Sequence, residues 1–180
     1  MSVDAPAVIA AMQAWLEKAV IGLNLCPFAK AVHVKGQIHY AVTDARDAAA
    51  LRDVLVTELQ ALVATDPQLS DTTLLIAPRM LQDFLDFNDF LAEADAVLAE
   101  LDLEGVVQIA SFHPNYQFAG TAADDITNFT NRAPYPTLHL LREESVDRAV
   151  DAFPEADAIF EKNMATLQTL GHAGWQALFK

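Results

Sequence analysis

The side chains with the most chemistry in them fall in two separate stretches. The first holds the chain's only cysteine, in Gly22-Leu23-Asn24-Leu25-Cys26-Pro27-Phe28-Ala29-Lys30. Proline favours the first position of a helix, so this spacing predicts Cys26 at an N-cap. A thiol there feels the positive end of the helix dipole, and Lys30 one turn on adds a cation. Both effects lower the thiol pKa and raise the fraction of nucleophilic thiolate. The alternative is a small buried hydrophobe among Leu23, Leu25 and Phe28.

The second stretch, Ser111 to Glu144, carries nearly every functional side-chain type. His113 precedes Pro114, which cannot donate to a sheet ladder, so His113 is expected at a strand end. Strand ends facing a crevice are where open α/β sheets hold ligands. A short helix from about Ala122 to Asn131 follows, with Asp124 and Asp125 in its first turn. Asp124, Asn128 and Asn131 then share one helix face, and Arg132 closes it. Such a face suits a polar, anionic ligand; the plain alternatives are helix capping by the two acids and hydrogen bonds from the amides to loop backbone.

Three functions are compatible with these residues. In the first, an enzyme acts on a small anionic metabolite: Cys26 is the nucleophile, His113 its acid/base partner, and Asp124 or Asp125 orients the histidine. Tyr116, Asn128, Asn131, Arg132 and Arg142 bind the substrate. The second is a divalent-metal enzyme using His113, His139 and Glu143, with Asp124 or Asp125 as further carboxylates, although the spacing is not diagnostic of a metal site. The third is a non-catalytic binder of a small molecule or cofactor, in which Tyr116, Phe118, Phe129 and Tyr135 wall the ligand; core packing is the alternative for those rings.

Positioning these groups requires a framework, and hydrophobic periodicity supplies one. Val8, Met12, Trp15, Leu16 and Ala19 recur at helical steps from a start near Asp4, with Gly22 as the stop. Strands are expected at Gln37 to Thr43, Thr72 to Ala77, Val106 to Phe112 and Pro136 to Leu141. Helices fill the gaps from about Asp44 to Ala64 and from Leu81 to Leu103. Leu51, Val54, Leu55, Leu59, Leu62 and Val63 point inward in one, and Phe84, Phe87, Leu91, Leu98 and Leu101 in the other. The tail reads as helices interrupted near Pro154 and Gly171. The fold class is α/β, a single domain over 1–180 with a four-stranded, mixed or mostly parallel sheet covered by helices.

Composition narrows the partners. With 11 basic and 25 acidic residues the net charge is −14, which repels a phosphate backbone and disfavours nucleic acid. A lone cysteine permits no internal disulfide, the N-terminus lacks a secretory pattern, and no apolar run is long enough to span a bilayer. A cytoplasmic protein with a small-molecule partner is expected.

The strings GLNLCPFAK (Gly22 to Lys30) and SFHPNYQFAGTAADDITNFTNRAPYPTLHLLRE (Ser111 to Glu143) resemble a bacterial family catalogued as domain-of-unknown-function family 1415. The similarity extends over nearly the whole chain. It implies no activity, cofactor or catalytic residue, so each assignment above rests on the residues themselves.

Overall fold

The computed structural model describes residues 2–180. Helix α1 (Ala5–Trp15) opens where Asp4 accepts a hydrogen bond from the Ala7 amide and proline occupies the first turn. Val8, Met12 and Trp15 make its buried face. The chain then widens into a π-helical turn, Leu16–Ile21, which keeps Leu16, Ala19 and Val20 inside. Gly22 ends it. A β-carbon at Gly22 would lie 2.3 Å from the Lys18 carbonyl oxygen, so only glycine fits.

The sheet consists of β1 (Ile38–Val42), β2 (Thr72–Ile76), β3 (Val107–Phe112) and β4 (Thr137–Arg142), in the order β1-β2-β4-β3. β1 and β2 are parallel, joined by helix α3 (Ala48–Ala64). β3 follows helix α4 (Phe84–Glu100) but does not pair with β2. Instead β4 inserts between them, antiparallel to both. The α/β class and mixed sheet agree with the expectation; the crossover logic could not place β4, which returns from β3 without an intervening crossover helix and so pairs antiparallel.

The helix starts shift to the nearest good cap. Asp47 receives the Ala50 amide and Asp83 those of Leu85 and Asp86, so α3 and α4 begin at Ala48 and Phe84. The buried stripe of α4 is Phe87, Phe90, Ala94, Val97 and Leu98, and Val63 of α3 is exposed. α3 and α4 cover one sheet face, burying Leu51, Leu55, Leu59, Phe87 and Val97 against Leu75, Leu138 and Leu140. The opposite face packs α1 against Leu74, Ile76 and Phe112.

Three further helices complete the fold: α2 (Ala29–Val34), α5 (Glu143–Ala152) and α6 (Ile159–Ala177). α5 stops before Pro154, and α6 is broken at Gly171, whose φ of 67° is non-helical. The interruptions fall where the sequence places them. α2 and α5 have no buried residue at all. Their residues are half-buried or exposed, and a cavity lies beneath them.

Candidate functional site

The late polar stretch is spent on the protein's own backbone. His113 is fully buried between Phe84 and Phe87, on the α4 side of the sheet. Its Nδ1 accepts the Asn115 amide, so its Nε2 carries the proton and donates to the Leu81 carbonyl at 2.8 Å. Burial pushes its pKa down. With both nitrogens occupied, His113 has no lone pair for a substrate or a metal. The expected acid/base role gives way to that of a structural histidine holding the turn at Leu81.

Its expected companions behave likewise. The helix at Ala122 to Asn131 shortens to a 3-10 segment, Ile126–Asn131, capped by Asp125. Hydrogen bonds from Thr127 hold the Asp125 carboxyl below its usual range, and Asp124 is exposed. Buried Asn128 accepts the Phe118 amide and the Thr121 hydroxyl and donates to the Ala122 carbonyl. Asn131 donates to the Ser111 carbonyl. Arg132 donates to the Tyr116 and Ala123 carbonyls and stacks 4.4 Å over Phe129. Half-buried Tyr116 packs on Phe84 and Phe118, and half-buried Phe129 on Trp175; none of these rings lines the cavity that Cys26 meets. Arg142 donates to the Leu62, Thr65 and Ser70 carbonyls, tying down the end of α3. The anion-binding set therefore does not assemble: its donors satisfy loop backbone that would otherwise be orphaned.

Cys26 lies on the other face of the sheet, against the α1 core, so the thiol does not meet His113. Pro27 and Phe28 form a turn rather than the first helical positions, and α2 begins at Ala29. The Phe28 and Ala29 amides still favour the thiolate, but burial outweighs them and pushes the Cys26 thiol up. Lys30 points to solvent and does not act on it. The resting sulfur is a neutral thiol, contrary to the N-cap expectation.

What Cys26 does meet is a cavity of about 640 Å³, bounded by the sheet below and α2 and α5 above. The floor crosses every strand: Ile38 from β1, Leu74 from β2, His139 from β4 and Phe112 from β3. Pro27, Phe28 and Val32 form one wall and Val146, Ala149 and Phe153 the other. Alternation along β4 explains the split: Leu138 and Leu140 go to the α3/α4 core, while His139 stands opposite Leu74 on the cavity face.

His139 is the titratable group that the strands contribute to the floor. It keeps some accessible surface although protein surrounds it, as a group at the base of a deep cavity does. Its Nε2 lies 2.8 Å from the Thr72 hydroxyl oxygen, which itself donates to the Leu140 carbonyl at 2.7 Å. A hydroxyl has one proton, so both contacts are made only if Nε2–H donates to Thr72. Nδ1 then holds the free lone pair. Desolvation lowers the His139 pKa to about 4, so the ring is neutral at physiological pH.

Two supporting residues carried no signal in the sequence. Thr72 reads as an ordinary strand residue, yet it sets the His139 tautomer. Asn163 of α6 is buried and donates to the Leu25 carbonyl at 2.8 Å, pinning the turn that carries Cys26. A buried asparagine on an otherwise amphipathic helix is the only hint the sequence offers.

The histidines expected to share a metal stand on opposite sheet faces, and Glu143 heads α5. Among the described residues, no group of three His, Cys, Asp or Glu side chains is placed to hold a metal ion. No helix among them is long and apolar enough to cross a membrane.

Comparison with family models gives a match to "Protein of unknown function (DUF1415)" over residues 7–177. No curated protein and no solved structure matches the chain.

Proposed function

The chain belongs to this family of unknown function, and from its own cavity we propose that it takes up a small, largely apolar molecule between the sheet and helices α2 and α5. Cys26 and His139 are the groups that meet it. One observation carries the reading: two helices with no buried residue roof a cavity of about 640 Å³ whose walls are mainly apolar. Their half-buried side chains, Val32 of α2 and Val146 and Ala149 of α5, line that space and are completed by an occupant. The size lies within the roughly 300–1,000 Å³ of small-molecule sites. A small, highly charged metabolite suits this space less well, because the side chains expected to grip one are engaged elsewhere.

A second reading, thiol chemistry on the bound molecule, is supported by Cys26 and His139 lining the same cavity. Nδ1 of a neutral imidazole is a proton acceptor, and the thiol is a proton donor. The opposed pKa shifts keep that pair uncharged at rest, so binding comes first and activation needs the ligand.

A thermal-shift panel of small molecules against the wild type and Ala149→Trp tests both. Binding is expected in the wild type and lost when the indole crowds the cavity. Compounds that bind both proteins equally well would place the site elsewhere. Cys26→Ser separates the readings: retained binding with lost turnover supports chemistry, and retained binding with no turnover in either protein supports a binder.

A further inference from the structure

We propose that the occupant is a single-tailed anionic amphiphile, a linear carboxylate whose chain lies along the sheet and whose head sits at Lys35 and Arg148. This rests on the small-molecule reading above and names the ligand class. The cavity floor is a row of side chains taken from four adjacent strands, Ile38, Leu74, His139 and Phe112. Ile38 pairs with Thr72 and Phe112 with Thr137, so the line crosses the sheet obliquely. With strands about 4.8 Å apart and about 3.3 Å per residue it spans ~20 Å, room for an extended chain of about a dozen carbons.

The polar groups along the row favour a tail over a compact polar ligand. Cys26 and His139 are uncharged, and the Thr72 hydroxyl proton is committed to Leu140. Nothing there compensates the burial of a charged head, so the head belongs at the mouth.

Lys35 and Arg148 line the cavity and are exposed. Lys35 makes no ion pair among the described residues, whereas Arg52, Arg79 and Lys162 are spent on Glu100, Asp44 and Glu155. Arg148 contacts Glu144 at 3.3 Å across an exposed helix face. The acid on the lining, Asp71, is already engaged: it accepts the Ser145 hydroxyl at 2.6 Å and lies 4.0 Å from the Arg142 guanidinium. The mouth thus offers a carboxylate Lys35 without an ion pair and Arg148 shared with Glu144 and the Ser145 hydroxyl, in a chain whose net charge is −14.

The test is calorimetric titration of the full chain with dodecanoate, dodecanol and hexanoate, each below its aggregation concentration. Dodecanoate is expected to bind, with hexanoate far weaker and dodecanol roughly three- to tenfold weaker, the range two exposed ion pairs supply. The double variant Lys35→Gln/Arg148→Gln, at exposed positions, should erase the carboxylate preference and leave dodecanol unchanged. Equal binding of acid and alcohol, or a preference the double variant does not touch, overturns the proposal. Ala149→Trp separates the two levels. Panel compounds that bind and are displaced by the indole, with no binding of amphiphiles, reject the ligand class alone. No binding by any compound rejects the site as well.

Discussion

His139 donates its Nε2 proton to the hydroxyl of Thr72 at 2.8 Å, across the β2–β4 ladder, and Thr72 passes its own proton to the Leu140 carbonyl at 2.7 Å. That relay fixes the one free ring nitrogen, Nδ1. Thr72→Val keeps the strand and its volume but removes the relay. We expect a loss of about 1–2 kcal/mol in denaturant unfolding, because the buried Nε2–H and Leu140 carbonyl each lose a partner. Long-range nitrogen NMR should also show the imidazole leaving the pure Nε2–H tautomer. An unchanged tautomer would mean that Thr72 does not set it.

The same ring makes stability depend on pH. His139 titrates at about 4 in the folded chain and near 6.5 when unfolded, so the unfolded state binds its proton first on acidification. Its contribution is fully present above about pH 6.5 and is lost as pH falls toward 4. Relative to His139→Gln, the wild type should lose on the order of 3 kcal/mol across that window. Taking the difference cancels the carboxylates and His113, which are common to both proteins. A difference that stays flat between pH 7 and 4 would place the ring in water.

Cys26 should be a slow thiol. Burial outweighs the two amides that favour its thiolate. Alkylation by iodoacetamide is expected to rise with pH to a midpoint above the ordinary thiol value near 8.5. At pH 7 the rate should fall below that of an unhindered thiol. A midpoint below 7 would restore Cys26 as a resting thiolate.

His113 is expected to matter for folding and not for the ligand. His113→Ala orphans the Leu81 carbonyl and the Asn115 amide and opens space beside Phe84 and Phe87. Urea unfolding should show a loss of ~3 kcal/mol, while affinity for the cavity ligand holds below the transition. A stable His113→Ala protein that no longer binds would return His113 to the site.

Periodicity located the strands to within a residue or two, because buried runs such as Thr72 to Ala77 can satisfy themselves only as central strands. It could not place β4 between β2 and β3, since strand order depends on how residues 113–136 fold back. The polar richness from Ser111 onward was legible, but its meaning was not. Asn128, Asn131 and Arg132 look the same in one dimension whether they grip a ligand or a carbonyl. Cys26 and His139 were each visible. Their shared cavity was not, because it depends on α2 and α5 bridging the sheet without packing down on it. Which of His113 and His139 shares a cavity with Cys26 depends on the sheet face each ring takes. Pro114 marks where a strand ends and does not say which way the preceding side chain points.

The most direct measurement is the imidazole nitrogen spectrum of the protein titrated with the tightest-binding compound of the panel, with Cys26 alkylation followed in the same samples. At saturation the His139 nitrogens should move, Cys26 should become protected, and the His113 signals should stay in place. Movement of His113 with His139 unaffected, or saturation that leaves Cys26 as reactive as before, would contradict the cavity site.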